Sequence, residues 1–310
     1  MKSIILLITF LLTFNVFGKE LPAKFDNQLI YLTPTLDSGE KITFFTDTGG
    51  GFNAIAQDFH TKYKWPTITE KGGDETLLLT PMPNYKLNKG IPLGGLNNFM
   101  KGNLFLVNRE EIDGKDGFLG GRWHAEKVIG FNYLNRTMAV YTEIQSLNIK
   151  SFTKIELGFQ KDSSGNYTTA FPSIEITVDN EIIPMLFDTG ATAHLSNNAQ
   201  KTLNTNAKKI GTSFISASTF ERWRQSNPQW PVIESGDLFA GDSMIQVPKV
   251  SIAGKTIGPV WFTRRQDHNF HSYMSSMMDR KIDGAIGGSL LKYLHVIVDY
   301  PNEVAYIKTN

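Results

Sequence analysis

The chain has no cysteine among its 310 residues. That absence removes disulfide staples, thiolate nucleophiles, iron–sulfur clusters and cysteine-ligated zinc together. There is no excess of charge either, since 31 Lys and Arg oppose 30 Asp and Glu for a formal net charge of +1. No global field draws the protein to nucleic acid or to an anionic membrane. Beyond the N-terminus no apolar run reaches the ~20 residues that span a bilayer. The zinc-protease His-Glu-x-x-His, the serine-hydrolase Gly-x-Ser-x-Gly and the phosphate-binding loop are all missing. What is present is a globular composition, 41% hydrophobic and 12% aromatic. A chain of this length buries roughly three quarters of its unfolded surface, so disorder and fibrous structure are excluded.

The N-terminus reads as a leader. Met1 and Lys2 give a short positive start, Ile4 to Phe17 is almost wholly apolar, and Val16-Phe17-Gly18 places a small residue at a cleavage point before Lys19. At about 14 residues the run is short for a membrane span. Residues 1–18 are therefore expected to be a signal peptide. The mature chain is expected in the periplasm or outside the cell, with no stable membrane insertion.

Internal similarity is the strongest signal. Phe44-Phe45-Thr46-Asp47-Thr48-Gly49 is matched by Met185-Leu186-Phe187-Asp188-Thr189-Gly190. Asp116-Gly117-Phe118-Leu119-Gly120-Gly121 is matched by Asp283-Gly284-Ala285-Ile286-Gly287-Gly288, in the same order. Each copy of this second pattern is followed by a short helical stretch, 122–129 or 289–294. An apolar run, a turn at Leu134-Asn135-Arg136 or Pro301-Asn302 and a second apolar run then form a hairpin signature. The intervals differ, 69 residues from Asp47 to Asp116 and 95 from Asp188 to Asp283, but insertions in surface loops cost little. The pattern predicts a duplicated, mostly β unit with a boundary between residues 145 and 165, near the turn-rich Asp162-Ser163-Ser164-Gly165-Asn166. The expected division is 19–155 and 156–310.

An Asp at the end of an apolar strand, followed by Thr and Gly, sits where the chain turns sharply and another backbone can come close. Two such loops meeting at a pseudo-twofold axis bring Asp47 and Asp188 together. Carboxyls that close share one proton, so one acts as a base toward water while the other donates to a carbonyl oxygen. This chemistry needs no metal, cofactor or thiol. A single Asp-Thr-Gly would read as an ordinary turn; it is the pairing that points to catalysis.

On these motifs the sequence resembles the pepsin-like aspartic proteases, the two-lobed branch of the superfamily that contains the retroviral proteases, and more closely bacterial exported proteins of that superfamily. The resemblance implies an all-β, two-lobed fold of duplicated β-barrel lobes with a few short helices. It implies catalytic roles for Asp47 and Asp188, and loop-supporting roles for Thr48, Gly49, Thr189, Gly190, Gly120 and Gly287. Peptide-bond hydrolysis by a monomeric exported endopeptidase, without nucleic-acid partners, follows from it. The run from Ala285 to Asp299 also resembles the end of pepsin-like chains. Two departures stand out. Gly50 and Ala191 follow Asp-Thr-Gly where many pepsin-like enzymes carry a hydroxyl. The flap hairpin, which in that family usually carries a tyrosine, is sought between Leu77 and Gly95 with Tyr85 as its candidate. A non-enzymatic peptide-binding protein on the same scaffold is the alternative, and a two-carboxylate glycosidase a third reading.

The remaining features have structural explanations. Ser218-Thr219-Phe220-Glu221 predicts a capping box opening a helix that stops before Pro228. Trp223 and Trp230 are expected to pack against the lobe. His268, His271 and the Met274, Met277, Met278 stripe are expected to be core rather than a metal site.

Overall fold

The computed structural model describes residues 18–95 and 100–309. The leader expected over residues 1–18 lies outside the described residues except for Gly18, the first residue of the strand Gly18–Glu20.

Two large sheets, one shared sheet and a small two-stranded one make up the described residues. The first half forms an eight-stranded sheet whose central order is Leu29–Leu32, Phe44–Thr46, Gly117–Leu119, Asn53–Ala56, Leu104–Val107, Glu75–Thr80 and Ile68–Gly72. The second half repeats that order as Ser173–Val178, Glu181–Phe187, Gly284–Ile286, Ser213–Ser216, Val260–Arg265, Asp242–Val247 and Val232–Asp237. Corresponding neighbours also share direction. Phe44–Thr46 runs parallel to Gly117–Leu119 as Glu181–Phe187 does to Gly284–Ile286. Asn53–Ala56 runs parallel to Leu104–Val107 as Ser213–Ser216 does to Val260–Arg265. The fold is all-β and two-lobed, and the duplication visible in four short motifs extends over seven strands.

Beneath the lobes lies a six-stranded antiparallel sheet in the order Gly18–Glu20, Thr137–Tyr141, Val128–Asn132, Leu294–Asp299, Val304–Thr309 and Thr153–Glu156. Its centre is the pairing of Val128–Asn132 with Leu294–Asp299, one strand from each half, with Gly130 opposite Ile297. Both strands are nearly continuous apolar runs because both faces are covered. Phe131 meets Phe187 at a ring separation of 5.7 Å, tying this floor to the strand that carries Asp188. Burying an aromatic side chain of this kind contributes about 2–3 kcal/mol. The expected boundary region is where Thr153–Glu156 joins the edge of the last strand.

Several details differ from the sequence expectations. The short helices after the glycine pairs span only Gly121–His124 and Gly288–Leu291, because the shared-sheet strand in the first half already begins at Val128. Both hairpin turns have four residues, 133–136 and 300–303, with Arg136 and Glu303 each at φ 56°. The helix Ala217–Ser226 is capped by Ser216, whose hydroxyl accepts from Thr219 N, so the cap lies two residues before the expected Ser218. Ser216 ends a strand, and its extended backbone suits an N-cap. The helix does stop before Pro228, and Trp223 and Trp230 are buried against each other and Phe262. The longer interval in the second half comes mostly from one insertion directly after the Asp188 loop, the hairpin Thr192–His194/Lys209–Gly211 with the helix Asn197–Thr202 between its strands.

Candidate active site

Each aspartate stands at the end of a strand held between neighbours of its own lobe. Asp47 N donates to Leu119 O and Asp188 N to Ile286 O, both at 2.9 Å. Thr and Gly then turn the chain back, and within each loop a glycine amide reaches the carboxyl: Gly49 N donates to Asp47 Oδ1 and Gly190 N to Asp188 Oδ1, again both at 2.9 Å. These amides are preorganised donors that favour the ionised carboxylate.

The loops are locked to each other by their threonines. Thr48 Oγ1 donates to Phe187 O at 2.7 Å and accepts from Thr189 N at 3.0 Å. Thr189 Oγ1 donates to Thr46 O at 3.3 Å and accepts from Thr48 N at 3.2 Å. Both threonines are fully buried, so each hydroxyl satisfies backbone groups that would otherwise be stranded.

Close approach depends on the glycines. A Cβ on Gly190 would lie 2.2 Å from Asp47 Cγ, and one on Gly49 2.8 Å from Asp188 Cγ. Behind the loops, a Cβ on Gly120 would meet Phe52 O at 2.3 Å and Gly50 O at 2.5 Å. One on Gly287 would meet Thr212 O at 2.0 Å. These obstacles are backbone and cannot swing aside, so the supporting segments tolerate no side chain there.

The two carboxyls hydrogen-bond to one another. Burial and the charge of Asp47 raise Asp188 well above the carboxylate range. Burial also raises Asp47, opposed by the bond to Asp188 and the amides of Gly49 and Gly50. The pair therefore titrates as a unit and retains one proton at pH values where isolated carboxyls have lost theirs. A glycosidase needs carboxyls about 5 Å or more apart, which this contact does not provide.

The groups that hold the supporting segments lie outside the residues expected to support the loops. Gly120 N donates to Asn53 Oδ1 and Gly287 N to Ser213 Oγ, both at 3.0 Å. Asp116 accepts from Thr43 N at 2.7 Å and from Arg109 Nη1 at 2.6 Å. Asp283 accepts from Ser216 Oγ at 2.8 Å and pairs with Thr219 and His271. A buried polar residue opening an otherwise apolar strand was the available signal for Asn53 and Ser213. The first residue of the repeated Asp-Gly pattern was the signal for the two aspartates.

The departure at position 50 has a packing origin. A Cβ on Gly50 would lie 2.5 Å from the ring of Phe118, so that ring occupies the space a hydroxyl side chain would need. Tyr85 is not on a hairpin. It bridges to Leu36 in an irregular stretch, its ring packs over Gly90 and its hydroxyl donates to Met82 Sδ at 3.1 Å. The two-stranded arm nearest that interval is Ile68–Gly72/Glu75–Thr80, and it contains no tyrosine.

No protein-family description matches the chain, and no curated protein matches it in sequence. Solved structures similar over most of its length include conglutin gamma, a basic 7S globulin from lupine seeds, at 10% identity and a TM-score of 0.47, covering 94% of this chain and 95% of that one. Another is an aspartic proteinase from Irpex lacteus at 9% identity and a TM-score of 0.46, covering 94% and 97%. At this distance neither says what this chain does.

Proposed function

We propose that this protein is an exported aspartic endopeptidase that hydrolyses peptide bonds with the Asp47–Asp188 pair. The observation that carries the reading is the contact between two half-buried carboxyls, each held by a glycine amide, on loops locked together by reciprocal threonines. A water between them loses a proton to the ionised carboxylate as it attacks the peptide carbonyl. The protonated carboxyl donates to the carbonyl oxygen, giving a gem-diol with no covalent bond to the protein. Collapse of that intermediate, with proton transfer to the leaving nitrogen, releases two peptides and leaves the pair with one proton. The residues alone complete this cycle. The substrate is an extended peptide or an unfolded protein segment, and the protein works as a monomer outside the cytoplasm. Among the described residues no helix is long and apolar enough to cross a membrane.

A peptide-binding role on the same scaffold is the second reading, favoured by the absence of a hydroxyl at positions 50 and 191 and of a tyrosine on the Ile68–Thr80 arm. The purified mature protein, assayed from acid to neutral pH on a mixed peptide library, decides between them. Cleavage that disappears in Asp47→Asn and in Asp188→Asn, with the fold retained, supports the protease. Binding without cleavage in the wild type supports the binder.

A further inference from the structure

The repeat places equivalent residues on the two sides of the carboxyl pair, and their surroundings differ. Two residues before each aspartate and two before each supporting glycine stand Phe45 and Phe118 in one lobe, Leu186 and Ala285 in the other, directly paired across parallel strands in both cases. Phe45 and Phe118 are half-buried and face a cavity of about 440 Å³, within the ~300–1,000 Å³ range of small-molecule pockets. Phe52, stacked on Phe118 at 4.9 Å, and Tyr31 extend its aromatic wall. Phe239, 77% exposed at the tip of a second-lobe hairpin, forms its lip beside His194. The cavity adjoins the Asp47 loop through the Phe118 ring, which abuts Gly50, where a Cβ would lie 3.2 Å from Asp47 Oδ2.

Leu186 and Ala285 have no such opening and are 2% and 1% exposed. The space over them is filled by Phe270, Met278 and Ile282, edged by Met274 and Met277. The cause lies in the connection to the supporting strand. Residues 266–283 make a connection twice as long as its first-lobe counterpart, 108–116, and pack over Leu186 and Ala285. Thr169 Oγ1 donates to Met277 O at 2.8 Å, Gln160 Nε2 to Ser276 O at 2.8 Å and Ile282 N to Ser275 Oγ at 2.9 Å, so this filling is anchored.

We propose that the cleft selects an aromatic side chain on one side of the scissile bond and a small residue on the other, because one of its two symmetry-related pockets is plugged by the protein's own methionine-bearing segment. This rests on the protease reading for the word scissile, but the selection itself is a binding property. Aromatic rings gain edge and face contacts in the open pocket, and the filled side leaves room for Gly, Ala or Ser. Methionine is flexible and unbranched, so truncating Met274 and Met277 loosens the edge of this filling and widens the second side without touching the catalytic loops.

The test profiles wild type, Phe239→Ala and the Met274→Ala/Met277→Ala double variant with peptides randomised on both sides of the cleavage point. Binding of the same peptides to Asp188→Asn is measured in parallel. Expected are a preference of about 10–100-fold for Phe, Tyr or Trp over Ala on one side and for small residues on the other. Phe239→Ala should shrink the aromatic preference severalfold, and the methionine double variant should admit Leu or Phe on the small side. Cleavage with a flat profile, or profiles unchanged in both variants, overturns the proposal while leaving the protease intact. Aromatic-selective binding to Asp188→Asn with no cleavage by the wild type does the reverse. Absence of selective binding overturns the proposal whatever the activity.

Discussion

Around the carboxyls the two lobes are almost superposable in their bonding, whereas a few ångströms away they share little. The amide-to-carboxyl bonds, the bonds to Leu119 O and Ile286 O and the contacts of Gly120 and Gly287 repeat nearly distance for distance. By contrast, Phe118 faces a cavity where Ala285 is covered, and His124 stands in the short helix of one lobe where Leu291 stands in the other. The loops must fit each other through a symmetry axis, so a change in one disturbs both. The surroundings carry no such reciprocal bonds, and there the lobes differ.

The sharpest break in that comparison removes the symmetry at its centre. Asp47→Asn or Asp188→Asn should each lower cleavage by about 10³-fold or more, measured as kcat/KM, with circular dichroism unchanged. Comparable activity in either variant would mean that the pair is not the catalytic unit. The pH dependence follows from the raised carboxyl pKa values. The shared proton is lost as pH rises, so activity should fall on the alkaline side. Relieving the buried charge in Asp188→Asn should stabilise the fold more at pH 8 than at pH 4.

His124 tests the divergent layer. It is fully buried, Nδ1 lies 2.8 Å from Gly120 O, and burial lowers its pKa to about 3. The unfolded chain takes up a proton near pH 6.5 and the folded chain does not. Stability is therefore lost as pH falls through that interval, by about 3 kcal/mol at pH 4. His124→Leu, which copies the other lobe, should flatten that loss in urea titrations at pH 7 and pH 4. An unchanged difference would rule out His124 as its source.

Smaller effects probe how equal the grip is. Thr48 makes the shorter bonds of the two threonines, so Thr48→Val should cost more stability than Thr189→Val, each within about 1–3 kcal/mol. Equal costs would show a symmetric lock. Ser216→Ala should destabilise by about 1–2 kcal/mol through its lost cap and its lost bond to Asp283. Its counterpart Ala56 opens the first-lobe helix with no side-chain cap, and that helix needs none to form.

Both Asp-Thr-Gly loops and both glycine segments behind them are legible in the sequence, because a tight turn and a close backbone approach demand particular residues at adjacent positions. Asn53 and Ser213 are not, since any small polar group that accepts one amide proton would serve. The place of Tyr85 in an irregular stretch is not legible either, because residue type and interval alone do not say whether a tyrosine sits on a hairpin or packs over a glycine such as Gly90.

By itself the sequence determined the duplication, the all-β lobes and the identity of the two carboxyls, since local patterns of strand, turn and glycine carry them. Only the tertiary structure decided that one of two equivalent pockets is open and the other filled. That outcome depends on where a connection of 18 residues folds back, and contacts between segments far apart in the chain set it without leaving a local signature.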